Sequence, residues 1–288
     1  MSLPVEPQPK VGLASAERAT LLWHSYLTGD TTHLDPPTRW VRRFFKQLPS
    51  AQRCRVCHAP FHGVGGWLAG LLGFRAGRSS FNPSLCDRCE VLVKRFQVGT
   101  EVPLTLLFVD VRGSTALAEE IGPSAFHHLI NRFYIASTHI LVQTNALIDK
   151  LIGDEVAGLY VPGIAGPQHA RIAVEAARSL LTATGHADPA GPWIKVGAGV
   201  HTGTAYVGAV GSSQSVSDIT VLGDAANLTA RLAAQAGAGE ILVSEAACQA
   251  AGLAAQECEA RQLQLKGRSQ SVAVRVLRAA EVRPSGPA

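Results

Sequence analysis

Two aspartates, an asparagine–arginine pair and four cysteines are the residues of this sequence whose types and spacing can do chemistry. Asp110 closes the apolar run "LTLLFVDV", and Asp154 sits at the centre of "DKLIGDEVAGLY", residues 149–160. There, Leu151-Ile152 and Val156 to Tyr160 read as half-strands about a Gly153-Asp154 turn. Asp149, Lys150, Asp154 and Glu155 crowd this hairpin. Unpaired charge is costly to bury, so the tip is either wet or turned toward a ligand. Carboxylates at the ends of two neighbouring strands make a hard-oxygen site that suits Mg²⁺. Aspartate at a strand end is also ordinary turn chemistry, so the pair alone does not define a metal site. Asn227 and Arg231 are four apart in "NLTAR" and share one helix face. An amide beside a guanidinium suits a ribose hydroxyl and a phosphoryl oxygen, although an exposed polar stripe looks the same.

The cysteines form two C-x-x-C pairs, Cys54/Cys57 and Cys86/Cys89. Four thiolates so paired take tetrahedral Zn²⁺ by default. The 28 residues between the pairs exceed the usual ribbon spacing, which keeps an iron–sulfur cluster open as the alternative. His58 and His62 lie close by, but two complete pairs need no further ligand. Cys248 and Cys258 are unpaired by pattern and read as structural.

These residues need elements to hold them. With 288 residues and 47% hydrophobic content, the chain can bury a full core plus a smaller module. No apolar run reaches the roughly 18 residues of a membrane span. "MSLPVEPQPK" lacks the pattern of a signal peptide, so a cytoplasmic location and reduced cysteines are expected. From Arg39 to Phe96 there are 11 Lys/Arg against Asp87 and Glu90, a local charge of +9 that leaves −5 elsewhere in a chain of net +4. Such a basic module is a solvated face or a surface for an anionic partner, either nucleic acid or a membrane.

Residues 1–15 are Pro-rich, and a helix follows from Ser15 to Gly29. Pro36-Pro37 should break any helix over 30–50, and 51–90 show no sustained periodicity. From "VPLTLLFVDV" onward, strands and helices alternate. The helix at 123–143 should turn Phe126, Leu129, Ile130, Phe133, Ile140 and Leu141 to one side. A second, at 167–184, should bury Ala170, Ala173, Val174, Ala177 and Leu181. "WIKVGAGVHTGTAYVGAVG" reads as a strand pair turning at Thr202-Gly203, and the chain closes in a hairpin about Gly267. The order implies an α+β fold with helices covering one sheet.

Three motifs then fall in sequence: F-x-D-x-x-G-S-T (108–115), K-x-x-G-D (150–154) and T-x-x-G-D-x-x-N-x-x-x-R (220–231). In these residues the chain resembles the class III nucleotidyl cyclases, over about residues 101–280. The resemblance implies a ferredoxin-like βααββαβ catalytic domain. It makes Asp110 and Asp154, with the Val111 carbonyl, the ligands of two Mg²⁺ or Mn²⁺ ions. Lys150 and Thr220 fall at the base-selecting positions, Asn227 at the ribose-orienting one and Arg231 at the one that stabilises the transition state. Lys266 lies near the place of a lysine on the terminal phosphates. A lysine can donate to adenine N1 and a threonine hydroxyl can accept from N6, so the pair favours ATP.

The resemblance therefore implies an adenylate cyclase working as a head-to-tail homodimer. The alternatives are a guanylate cyclase, or a weak cyclase-like domain in a zinc-ribbon nucleic-acid-binding or scaffold protein. Glu155, Arg112 and Ala226 depart from the family pattern without removing a functional group. "IGDEVAGL" also resembles the GGDEF signature of diguanylate cyclases, but Ile152 replaces its first glycine and the 220–231 block has no counterpart there. The implied division is a 1–50 tail and helical segment, a 51–95 metal-binding module, a 101–280 catalytic domain and a 281–288 tail.

Overall fold

The computed structural model describes residues 13–79, 85–96, 98–211, 217–254, 258–265 and 271–279. Its centre is β1 (Gly99–Val111), whose mostly apolar stretch from Leu104 to Val109 is buried on both faces. On one side β1 pairs antiparallel with β3 (Glu155–Tyr160), and β3 with β2 (Leu147–Ile152). On the other it pairs antiparallel with β4 (Val196–Gly211) in unbroken register from Gly99↔Gly208 to Val111↔Val196. Beyond β4 lie β6 (Glu240–Ser244), β8 (Val272–Arg278) and β7 (Glu259–Leu263). The β4–β6 pair is parallel, and β5 (Ser217–Leu222) folds back on the far half of β4.

The continuous β4 replaces the expected hairpin at Thr202-Gly203. The Thr202 hydroxyl hydrogen-bonds that of Thr105 on β1, 2.7 Å away. Gly203, where the turn was expected, packs on a helix instead: a Cβ there would lie 3.1 Å from that of Ala225. A Cβ on Gly199 would lie 2.5 Å from the Ala233 nitrogen and 2.6 Å from the Thr229 carbonyl oxygen. The missing side chain lets α9 (Asp224–Gln235) lie directly on the strand.

Helices α6 (Pro123–Gln143), α8 (His169–Ala183) and α10 (Glu245–Ala251) cover one sheet face. Ile130, Phe133 and Leu141 of α6 are buried, with Phe126, Leu129 and Ile140 partly so. Ala170, Ala173, Val174, Ala177 and Leu181 of α8 are buried, as their spacing implies. Together with α5 (Ser114–Ile121), these elements complete the ferredoxin-like βααββαβ arrangement.

The opposite face carries α9 and the N-terminal segment. In α1 (Leu13–Thr28), Trp23 and Leu27 are fully buried, and the Trp23 indole donates to the Val207 carbonyl at 2.9 Å. Pro36-Pro37 open α2 (Pro36–Gln47) rather than break a helix, because proline fits the first helical turn, where no intrahelical donor is needed. The stretch without periodicity holds α3 (Gly63–Leu71) and the start of α4 (Asp87–Phe96). Cys54, Val56, Leu85 and Cys86 pack in one apolar cluster with Trp23, Val102 and Leu104. No helix among the described residues is long and apolar enough to cross a membrane.

Candidate active site and four-cysteine centre

β1 ends on Asp110 and Val111, beside the β2–β3 hairpin. Gly153, at φ +62°, supplies the left-handed residue of the turn, and the Tyr134 hydroxyl donates to its carbonyl at 2.7 Å. The Val111 N–H donates to the Asp154 carbonyl at 3.2 Å, tying the hairpin tip to the strand end. Asp110 and Asp154 are thus brought together, and the Asp154 carboxylate acts on that of Asp110. Burial raises the Asp110 pKa, opposed by Arg112 and reinforced by Asp154.

Sequence reasoning undervalued two neighbours. Glu155 stands opposite Asp110 in the β1–β3 register, on the same side of the sheet. Burial, followed by the charges of Asp110, Asp154 and Asp149, pushes its carboxyl up to about 7. Arg112 ion-pairs with Asp110, and its guanidinium also donates to the carbonyls of Ala234 (2.7 Å) and Ala236 (3.3 Å) at the end of α9. Its two carbonyl acceptors on the α9 side lie more than 120 residues away, and only the departure from the family pattern marked it. A crowded carboxylate group with one arginine fits a divalent cation, since hard oxygen donors repel one another until a cation is bound.

Lys150 lies in β2 where the register with β3 shifts between Ile148 and Leu151. Thr220 is buried in β5 opposite Gly208. Asn227 and Arg231 are on the side of α9 away from its buried Ala225, Leu228, Thr229 and Leu232. Neither side chain hydrogen-bonds or ion-pairs with another described residue. Lys266 lies outside the described residues. α5 begins at Ser114, three residues beyond Val111; its N-cap Gly113 (φ +68°) has no side chain to cap the first N–H groups. Such an end attracts phosphate oxygens.

Cys54, Cys57, Cys86 and Cys89 converge with all four Sγ atoms within 4.8 Å of one another. The Cys57 and Cys86 sulfurs are 3.7 Å apart. Four sulfurs about 2.3 Å from one central ion would stand about 3.8 Å apart, so the spacing fits a single tetrahedral metal. An iron–sulfur cluster places several atoms among its thiolates and spreads them wider. Burial works to raise the Cys54 thiol, but hydrogen bonds from Cys57, Cys86 and Cys89 outweigh it and hold that thiol well below its usual range. The buried Arg42 guanidinium lies over the Tyr26 ring, within electrostatic reach of Cys57, Cys54 and Cys89. His58 and His62 do not join the cluster, and burial holds His58 neutral, with its pKa lowered to about 3.

The mixed sheet with helices on both faces and paired carboxylates at one strand end places the molecule among α+β domains. The adenylate and guanylate cyclase catalytic domain profile matches residues 97–277, and the chain belongs to that family. An adenylate cyclase of Anabaena cylindrica is 33% identical over 138 residues, 45% of this chain and 26% of that protein. Adenylate cyclase 1 of Rhizobium meliloti is 27% identical over 134 residues, 45% of this chain and 20% of that protein. The chain thus matches about a quarter or less of the length of either relative. The adenylyl cyclase CyaB from P. aeruginosa superposes with a TM-score of 0.52 at 27% identity, over 62% of this chain and 95% of that one. The guanylyl cyclase Cya2 superposes with a TM-score of 0.56 at 24% identity, over 62% and 92% respectively, and shares the fold.

Proposed function

We propose that the protein is an adenylate cyclase, converting ATP into 3′,5′-cyclic AMP and pyrophosphate. The observation that carries this reading is the convergence of Asp110 and Asp154 at the end of β1, in a domain that also presents Asn227 and Arg231 on the outer side of α9. Two Mg²⁺ or Mn²⁺ ions held by Asp110, Asp154 and the Val111 carbonyl would acidify the ribose 3′-hydroxyl and neutralise the triphosphate. The 3′-oxygen attacks the α-phosphorus as the bond to the bridging oxygen breaks, and pyrophosphate leaves. Arg231 meets the charge developing on the phosphoryl oxygens, and Asn227 orients the ribose. The α5 N-terminus and Lys266 receive the outer phosphates. Lys150 donates to adenine N1 and Thr220 accepts from N6, whereas guanine, with N1–H and O6, would need an acceptor first. The named activity of the two curated relatives supports ATP, and the likeness to a guanylyl cyclase makes GTP the alternative substrate.

In this reading residues 101–280 are the catalytic domain, and 51–95 hold one Zn²⁺ in the four-cysteine centre. The protein works as a cytoplasmic homodimer. The experiment supplies the purified protein with Mg²⁺ or Mn²⁺ and either ATP or GTP, and quantifies cyclic products by mass spectrometry. Cyclic AMP as the main product is expected. Cyclic GTP-derived product alone would overturn the substrate, and no cyclic nucleotide would overturn the activity.

A further inference from the structure

Helix α3, "GVGGWLAGL", is packed inside out. Its small residues face the protein: Gly65 and Ala69 are buried, and a Cβ on Gly65 would stand 2.3 Å from the Pro49 carbonyl oxygen. Of its large residues only Leu68 packs inward, against the Phe45 and Ala59 cluster; the others face outward. Val64, Trp67 and Leu71 fall at i, i+3 and i+7, and with Trp40 of α2 they are 64–66% exposed. The stripe continues into Leu72, and α3 carries no charged residue. A helix on an ordinary water-facing surface has the reverse pattern, so this face is built to meet an apolar phase.

The surrounding charge says which one. No aspartate or glutamate occurs between Asp35 and Asp87. Arg53 is used inside the fold, donating to carbonyls at the end of α2, and Arg42 is buried. Arg39, Arg43 and Lys46 are exposed at i, i+4 and i+7 of α2, next to Trp40, which stacks on Phe44 at 5.6 Å. Arg75 is exposed just beyond α3. Tryptophans favour the headgroup level of a bilayer, and flanking basic side chains favour anionic lipid. Leucine and valine offer nothing to nucleic-acid bases, and a second copy would bring like charge against like.

We propose that the α2–α3 face docks the protein peripherally on an anionic lipid surface, with Trp67, Leu71 and Val64 inserted and the basic residues of α2 on the headgroups. A nine-residue helix, about 13 Å long, cannot span the roughly 30 Å hydrocarbon layer, so it lies in the interface.

The test is co-sedimentation of the full chain with phosphatidylcholine vesicles and with phosphatidylcholine–phosphatidylglycerol vesicles, together with tryptophan emission. Binding to the anionic vesicles with a blue shift is expected. Trp67→Ser with Leu71→Ser should weaken it about tenfold or more, and Arg43→Glu with Lys46→Glu should remove the preference for anionic lipid. These side chains are exposed, so thermal midpoint and cyclase activity in solution should stay unchanged. Failure to sediment with either vesicle, equal binding to both, or variants that bind like wild type would overturn the proposal. So would a Trp67→Ser, Leu71→Ser protein that dissociates a dimer or loses affinity for nucleic acid rather than lipid.

Discussion

Glu155 and Asp110 face each other across the β1–β3 pair, and burial of Glu155, reinforced by that neighbouring charge, makes the site sensitive to pH before any nucleotide arrives. The folded state holds the Glu155 proton up to about pH 7, against an ordinary value of 4.5. Protonation therefore favours folding: the stability it gives is complete below about 4.5 and is lost as pH rises through 7. Asp110 is shifted in the same direction. The metal-free protein should have a lower thermal midpoint at pH 8 than at pH 5, and Glu155→Gln should flatten that difference. A variant whose midpoint follows the wild-type pH curve would show that Glu155 is not strained. Asp154→Ala tests the neighbouring position. It removes a carboxylate from a partly exposed turn and no core packing, so the fold should survive while turnover falls about a hundredfold or more. Near-normal turnover in the folded variant would remove Asp154 from the metal site.

The long β4 and the helix laid on it decide where Asn227 and Arg231 stand. Gly199→Ala would drive a Cβ into backbone atoms of α9, which cannot yield as a flexible side chain can. A loss of about 1–3 kcal/mol in unfolding free energy is expected, with turnover falling further as α9 lifts from the strand. A variant with full activity and wild-type stability would contradict this close approach. Element by element, the sequence was readable where side chains repeat locally. The apolar run of β1, the charged turn at Gly153-Asp154 and the inward stripe of α8 each follow from neighbours a few residues apart. Thr202-Gly203 misled because glycine serves both a turn and a tight helix–strand contact, and only the helix shows which. The tie of Arg112 to the end of α9 and the seat of Arg42 on Tyr26 were unreadable for the same reason: those contacts join residues distant in sequence. The four cysteines were legible by spacing, but their seat against Trp23 and Val102 was not. Cys57→Ser with Cys86→Ser should lose about one metal per chain by elemental analysis. It should also lower the thermal midpoint of the whole protein, because the centre shares its apolar cluster with β1. Full metal retention would refute the ligand set.

At the scale of the whole molecule, the N-terminal segment and the carboxylates occupy opposite ends of β1. His24 on α1 is 3.0 Å from Thr100, at the start of the strand, whereas Asp110 is ten residues on, about 33 Å along an extended chain. α1 and the cysteine centre thus cover the far half of a sheet face and leave the half with Asp110 and Glu155 to other partners. On that same face α9 points Asn227 and Arg231 outward, without a hydrogen-bonded or ionic partner among the described residues. An outward functional pair and a strand-end carboxylate group on one face suit a twofold dimer. Each of its two equivalent sites would take the carboxylates from one copy and Lys150, Thr220, Asn227 and Arg231 from the other. Specific activity should then rise with protein concentration. Asp154→Ala and Arg231→Ala should each be inactive alone, since each spoils both sites of its own homodimer. After subunit exchange, half of the dimers are mixed. One of the two sites in a mixed dimer combines an intact carboxylate set with an intact Arg231, while the other carries both lesions. Mixing the two proteins should therefore restore up to about a quarter of wild-type activity. The measurement is cyclic nucleotide formation alongside mass-spectrometric proof of exchange, and no recovery in fully exchanged protein would place both residue sets within a single chain.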